Sequence, residues 1–288
     1  MRGAKIPKKG EQEMKGVITE IERFSLKDGP GIRTTVFFKG CNMACSWCHN
    51  PETLSVKPQL MVYPKNCIGC GACVKACKAG ARTIENGILH YDRSVCTGCG
   101  ACAQSCFTGA LVMSGKEMAV EEVMSEVLQD RNYYRNSGGG VTLSGGEVAA
   151  QPEFAVELLK ALKNENISTA IETNLYAPWS VYESLMPFVD LVMFDIKVFD
   201  SSAHKKWTGV CNQRILENAK RIAGVYIAPP KRCIFCIMTG NPPLFIRSAA
   251  VLASLETADA PFACTSCNRT GGPASLTSCA SIFIISLI

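Results

Sequence analysis

Four short runs of β-branched, aromatic and aliphatic residues punctuate the chain: TTVFF (34–38), VTL (141–143), STAIE (168–172) and LVMFDI (191–196). Each is bounded by turn-forming or polar residues, a pattern expected of strands buried on both faces of a parallel sheet. Between the later runs the apolar period lengthens to that of a helix. Val120, Val123, Met124, Val127 and Leu128 share one helical face, Ser114 and Glu117 form a capping-box pattern ahead of them, and Gly138 ends the stretch. Pro152 opens a second helix carrying Phe154, Leu158, Leu159 and Leu162, and Ser180 with Glu183 caps a short third before Val189. A fourth runs from Gln213 to Ala223 and stops at Gly224. Strands alternating with helices predict an α/β fold on a parallel sheet, either a whole or partial (β/α) barrel or an open doubly wound sheet.

The alternation is interrupted between the first two strands by a duplication. CIGCGACVKACKAGA (67–81) and CTGCGACAQSCFTGA (96–110) are the same unit, and each contains C-x2-C-x2-C-x3-C. That spacing wraps a [4Fe-4S] cluster, and the small residues between the cysteines let backbone amides approach the sulfurs. In two-cluster ferredoxins the fourth cysteine of each run serves the other cluster. The expected quartets are therefore Cys67, Cys70, Cys73 and Cys106 for one cluster and Cys96, Cys99, Cys102 and Cys77 for the second. Lys78 and Phe107 stand where ferredoxins usually carry proline. A pair of zinc knuckles is the competing reading, and paired four-cysteine runs suit it less well.

Composition narrows the setting. Of the 288 residues 47% are hydrophobic and 19% charged, and no apolar run has the length of a membrane span. The N-terminal stretch is basic, with +3 of the formal +5 charge, but lacks the apolar segment of a signal peptide. Seventeen cysteines in such a chain point to reduced thiols binding metal, in a cytoplasmic protein, rather than to disulfides. Charge gives little support to a nucleic-acid partner, and none is expected, nor is a membrane partner.

GCNMACSWCHNP (40–51) follows the first strand, SGGE (144–147) the second, Thr173 and Asn174 the third, and Asp195 with Lys197 closes the fourth. Polar groups at the C-terminal ends of successive parallel strands meet at one mouth. Cys41, Cys45 and Cys48, spaced C-x3-C-x2-C, can reach three corners of a [4Fe-4S] cluster and leave the fourth iron open. CNMACSWC resembles the signature of the radical S-adenosylmethionine enzymes. The resemblance implies that S-adenosylmethionine chelates the open iron and is cleaved by one electron to a 5′-deoxyadenosyl radical. It further implies cofactor contacts from Gly145, Gly146 and Glu147, whose carboxylate pairs with the methionyl ammonium, and from Thr173, Asn174, Asp195, Ile196 and Lys197. Trp47, His49 and His204 are expected beside the same pocket, Trp47 against the adenine. Asp195 and Lys197 are the catalytic candidates beside the three cysteines.

DGPGIRTTVFFKGC (28–41) and the following HNPE resemble the activating enzymes of glycyl radical enzymes over about residues 15–230. The duplicated insert is similar to the subgroup that activates choline trimethylamine-lyase, glycerol dehydratase, hydroxyproline dehydratase and arylacetate decarboxylases. What this implies is hydrogen abstraction from a glycine of a partner enzyme, three clusters, and a flavodoxin or ferredoxin-type electron donor. The competing readings are an electron-transfer iron-sulfur protein and an inactive truncated activase. The expected divisions are a basic tail (1–14), the barrel's first part (15–58), a ferredoxin-like insert with two [4Fe-4S] clusters (59–112), the barrel continued (113–230) and an atypical tail (231–288).

Two features depart from the family pattern. Val148 replaces a frequent proline, and Leu175 stands where glycine is usual, at a position where a left-handed backbone would strain it. From Cys233 onward only Arg247, Glu256, Asp259 and Arg269 are charged, and no strand-helix alternation continues, as a frame error or degenerate gene end would produce. The pairs Cys233/Cys236 and Cys264/Cys267 allow a zinc ribbon as an alternative for this tail.

Overall fold

The computed structural model describes residues 14–86, 88–226, 232–239 and 244–245. The chain opens with β1 (Lys15–Ser25) and β2 (Arg33–Phe38), an antiparallel pair. The insert follows as β3 (Gln59–Val62), α1 (Ala72–Ala76), β4 (Arg82–Glu85), β5 (Ile88–Tyr91), α2 (Ala101–Gln104) and β6 (Leu111–Ser114). Then come β7 (Lys116–Ala119), α3 (Val120–Val127), α4 (Arg131–Ser137), β8 (Gly140–Gly145), α5 (Pro152–Asn164), β9 (Ser168–Thr173) and α6 (Trp179–Leu185). The described residues end with β10 (Leu191–Ile196), α7 (Ser201–Thr208), α8 (Gln213–Tyr226), β11 (Arg232–Thr239) and β12 (Leu244–Phe245).

Eight strands form one sheet in the order β12-β11-β10-β9-β8-β2-β1-β7. The run from β2 through β8, β9 and β10 to β11 is parallel, as the buried apolar runs require, whereas β1, β7 and β12 join antiparallel. The sheet is thus mixed rather than wholly parallel, and the described strands leave it with two edges, β7 and β12. The stripes of α3, α5, α6 and α8 (Val123, Val127, Leu158, Leu162, Leu185, Ile215 and Ile222 among them) are fully buried in one core with Val36, Val141, Ile171 and Val192 of the strands.

Three local expectations are corrected. Residues 116–119 pair with β1 (Lys15↔Ala119, Ile18↔Lys116) instead of starting a helix, so α3 begins at Val120. Its cap is Glu122, which accepts from the Ala119 amide at 2.7 Å, not the pair Ser114 and Glu117. Ser180 lies inside α6, whose N-cap position is Pro178, and α8 continues through Gly224 to Tyr226.

The insert closes on itself. Its first and last strands, β3 and β6, pair with Gln59 opposite Ser114, so it leaves and rejoins the sheet at adjacent points. The duplication in sequence is a duplication in backbone: Gly69, Gly71 and Gly80 have φ near +70°, as do Gly98, Gly100 and Gly109, 29 residues on in each case. Side chains with a Cβ are disfavoured at such angles, which is why both copies repeat glycine there. Of the atypical tail, residues 264 and 267 of the zinc-ribbon alternative lie outside the described residues, while Cys233 and Cys236 fall in β11 beside Val192 and Asp195 of β10.

Candidate active site

The DGPGIR segment lies at the opposite end of the sheet from the cysteine triplet. Arg33, at the first position of β2, is 1% exposed and donates to Thr142 Oγ1 (2.6 Å) and to the carbonyls of Val141 (2.8 Å) and Ser168 (3.2 Å). Asp28 accepts from Ser25 Oγ and Thr35 Oγ1. These contacts fasten the N-terminal ends of β2, β8 and β9, which fixes where their C-terminal ends emerge.

At those C-terminal ends the predicted motifs come together. The amides of Gly40 and Cys41 donate to the carbonyls of Thr53 (2.7 Å) and Leu54 (3.1 Å), folding residues 41–53 into a closed loop whose Met43 enters the main core. Lys39, wholly buried, reaches the Glu52 carbonyl beneath the loop. From β8, Gly146 donates to Phe38 O at 2.8 Å. A Cβ on Gly145 would stand 2.3 Å from Phe38 N, and one on Gly146 would stand 2.4 Å from Gly40 O. The two glycines are thus required by the approach of β8 to the base of the cysteine loop.

From β9, Asn174 donates to Asn42 Oδ1 at 2.9 Å and lies 3.8 Å from Cys41 Sγ, while Asn42 Nδ2 reaches Tyr176 O. α7 holds the loop from the other side: Ala44 N donates to Thr208 O (2.9 Å) and Ser46 N to Trp207 O (2.8 Å). Cys41, Cys45 and Cys48 are all partly exposed and free of disulfides.

Glu147 does less at the mouth than its motif implies. Its carboxylate is 2% exposed and accepts from Ala149 N (3.0 Å), Thr173 Oγ1 (2.7 Å) and Asn174 N (2.7 Å), so it ties the ends of β8 and β9 together. Burial pushes its pKa up, and those three donors oppose the shift. Lys197 Nζ lies 2.6 Å from Asp195 Oδ2. Burial alone would lower the ammonium's pKa, but the adjacent carboxylate outweighs it and holds it above the ordinary lysine value. Its positive charge also acts on Cys45, against the burial that raises that thiol, while Cys41 is pushed up by burial to about 11. Ile196 is buried beside this pair.

The three aromatic residues expected beside the pocket differ in setting. Trp47 and His49 are exposed on the loop. His204 is fully buried in α7, with Nδ1 2.6 Å from Val210 O and 2.9 Å from Thr208 Oγ1, and among the described residues its Nε2 is without a partner. It fixes the end of the helix that grips the cysteine loop. Sequence reasoning missed Glu172, whose carboxyl accepts from Ser144 Oγ at 2.5 Å and is pushed up to about 7, chiefly by burial. Position was its available signal: a carboxylate among aliphatic neighbours one residue before Thr173. Asn218 of α8, donating to the carbonyls of Leu175 and Ala177 at 2.9 Å each, was missed because its partners lie more than 40 residues away.

In the insert, the eight cysteines sort into two cavities. One is lined by Cys67, Cys70, Cys73 and Cys106, the other by Cys77, Cys96, Cys99 and Cys102. Among the described residues no three Cys, His, Asp or Glu side chains converge on a point that could hold a single metal ion. Zinc needs its sulfurs within about 2.3 Å of one centre. Thiolates of a [4Fe-4S] cluster bind separate irons, so they can ring a cavity without meeting, and the donors present fit that group.

Family models agree in kind. The radical SAM superfamily model matches residues 94–241, a 4Fe-4S dicluster domain matches 66–110, and a 4Fe-4S single cluster domain matches 27–84. The (2S)-3-sulfopropanediol dehydratase activating enzyme of Klebsiella oxytoca is 42% identical over 212 residues, 72% of this chain and 67% of that protein. The (2S)-3-sulfopropanediol sulfolyase activating enzyme of Bilophila wadsworthia is 45% identical over 72% of this chain and 70% of its own. The choline trimethylamine-lyase activating enzyme of Oleidesulfovibrio alaskensis is 44% identical over 72% and 67%. With relatives of this kind 42–45% identical over 72% of its length, the chain belongs to the radical SAM superfamily and, within it, to the activating enzymes of glycyl radical enzymes.

Proposed function

We propose that this chain generates a glycyl radical in a partner enzyme, using a cluster on Cys41, Cys45 and Cys48 and two more in the insert. The observation that carries this reading is the meeting, around the triplet loop, of Gly145 to Glu147, Thr173 with Asn174, and the Asp195–Lys197 pair. Cys41, Cys45 and Cys48 would hold a [4Fe-4S] cluster, which would supply the one-electron reductive cleavage of S-adenosylmethionine needed to draw a hydrogen atom from the partner's glycine.

The chain's own residues prepare that event. Cys41, Cys45 and Cys48 provide three ligands and no fourth from the loop. Asn174, held by the Glu147 brace, presents its amide to Asn42 and Cys41. Lys197 is kept cationic by Asp195 at the side of Cys45, where it offsets thiolate charge and can meet a cofactor carboxylate. Thr208 and Trp207 hold the loop in place through backbone hydrogen bonds that do not depend on side-chain identity. The mixed sheet is proposed to be a partial barrel whose mouth is this loop cluster. The quartets Cys67, Cys70, Cys73, Cys106 and Cys77, Cys96, Cys99, Cys102 are proposed to hold the insert's clusters, fed by a flavodoxin- or ferredoxin-type donor.

Anaerobic reconstitution with dithionite and S-adenosylmethionine tests the catalytic claim. The intact chain should release 5′-deoxyadenosine, whereas Cys45→Ala should release none while keeping the insert's iron. Release undiminished by Cys45→Ala would remove the triplet from the mechanism.

A further inference from the structure

Arg82 is the first residue of β4, 4% exposed, and it borders both cysteine cavities of the insert. Its Nη2 lies 3.9 Å from Cys73 Sγ, its guanidinium carbon lies over the Tyr91 ring at 5.3 Å from the centroid, and among the described residues its Nε has no hydrogen-bond partner. Among the described residues no carboxylate forms an ion pair with it. A guanidinium stays charged in proteins, and burying one without a counter-charge is costly. The duplication sharpens the oddity: 29 residues on, the second copy has Leu111, equally buried. One unit therefore keeps an arginine where its twin packs a leucine.

We propose that Arg82 is a positioning charge shared by the insert's two cluster sites, and that its buried guanidinium raises the reduction potential of both clusters. The inference rests on the two-cluster reading of the insert. Thiolate-ligated clusters are anionic, so they provide the missing counter-charge on either side of the side chain. Each becomes more anionic on accepting one electron from the reduced donor protein, and a fixed cation nearby favours that reduced state. Arg82 thus makes the insert able to take up and hold electrons ahead of the triplet site. Tyr91, whose ring lies under the guanidinium, also lines both cavities.

The test uses the full chain in a Cys45→Ala background, so that the insert's clusters alone titrate. Iron and sulfide are counted, and reduction by dithionite is followed by electron paramagnetic resonance at controlled potential. Insert iron in this parent reads the two-cluster assignment; the shift among variants reads Arg82. In Arg82→Gln and Arg82→Met the reduced fraction at the parent's midpoint should fall from one half to roughly one tenth or less, given the strength of a unit charge a few ångström away. Arg82→Lys should stay near the parent. Neutral variants that keep their iron and titrate at the parent's potential would overturn the proposal. So would loss of insert iron from both neutral variants, which would assign Arg82 to folding, and absence of insert iron from the parent would remove both readings together.

Discussion

Leu175 shows how one side chain is held against its own backbone preference. Its φ is +58°, the left-handed region that a glycine would occupy freely, yet the leucine is fully buried in the main core. The strain is worth about 1–2 kcal/mol, less than the 2–5 kcal/mol that a buried leucine usually forfeits on truncation to alanine. Burial wins, and Asn218 keeps the loop in place by bonding the Leu175 carbonyl. Leu175→Ala should therefore lose roughly 2–5 kcal/mol of stability, and Leu175→Gly about 1 kcal/mol less because it relieves the strain. Anaerobic urea unfolding of the two variants measures this, and alanine proving the milder change would show that the backbone angle costs nothing.

At the scale of elements, the local periods were legible and the pairings were not. The four apolar runs became β2, β8, β9 and β10 within a residue or two, and Pro152 does start α5, because burial on both faces and ring geometry are local properties. β1 and β7 were lost: KEMA at 116–119 is made of good helix formers, and only pairing with Lys15 to Ile18 makes it a strand. That the segments after β2, β8 and β9 converge was legible from their shared place at the strand ends, but the Glu147 brace joins residues 26 and 27 positions apart, and no spacing announces it. The β3–β6 pair, by contrast, has a clear consequence. Since Gln59 faces Ser114 across an antiparallel ladder, about 5 Å of linker can replace residues 60–113. The excised chain should retain dithionite-driven cleavage of S-adenosylmethionine and lose activation driven by a reduced flavodoxin-type donor. Donor-driven activation surviving excision would take the insert off the electron route.

Across the whole molecule, stability is divided unequally between a large core and the small one of the insert. The main one joins the sheet to α3, α5, α6 and α8 through some thirty buried residues, from Ile18 to Ile222. That of the insert has four buried residues, Leu60, Cys73, Cys102 and Leu111, and two of these are proposed cluster ligands. A unit this small cannot bury enough apolar surface to offset its chain entropy, so metal-ligand bonds must supply what packing does not. Removing iron anaerobically with a chelator should therefore unfold the insert while the sheet persists. Hydrogen exchange reads this directly: amides of α1, α2 and β3 to β6 should lose protection by orders of magnitude, while those of β8, β9 and α5 change little. The cysteine loop should behave as part of the larger body, because Met43, Gly40 and Ala44 tie it to the core, to Thr53 and to α7 without any iron. Equal loss of protection in β8 and in α2 would mean that the two cores unfold as one.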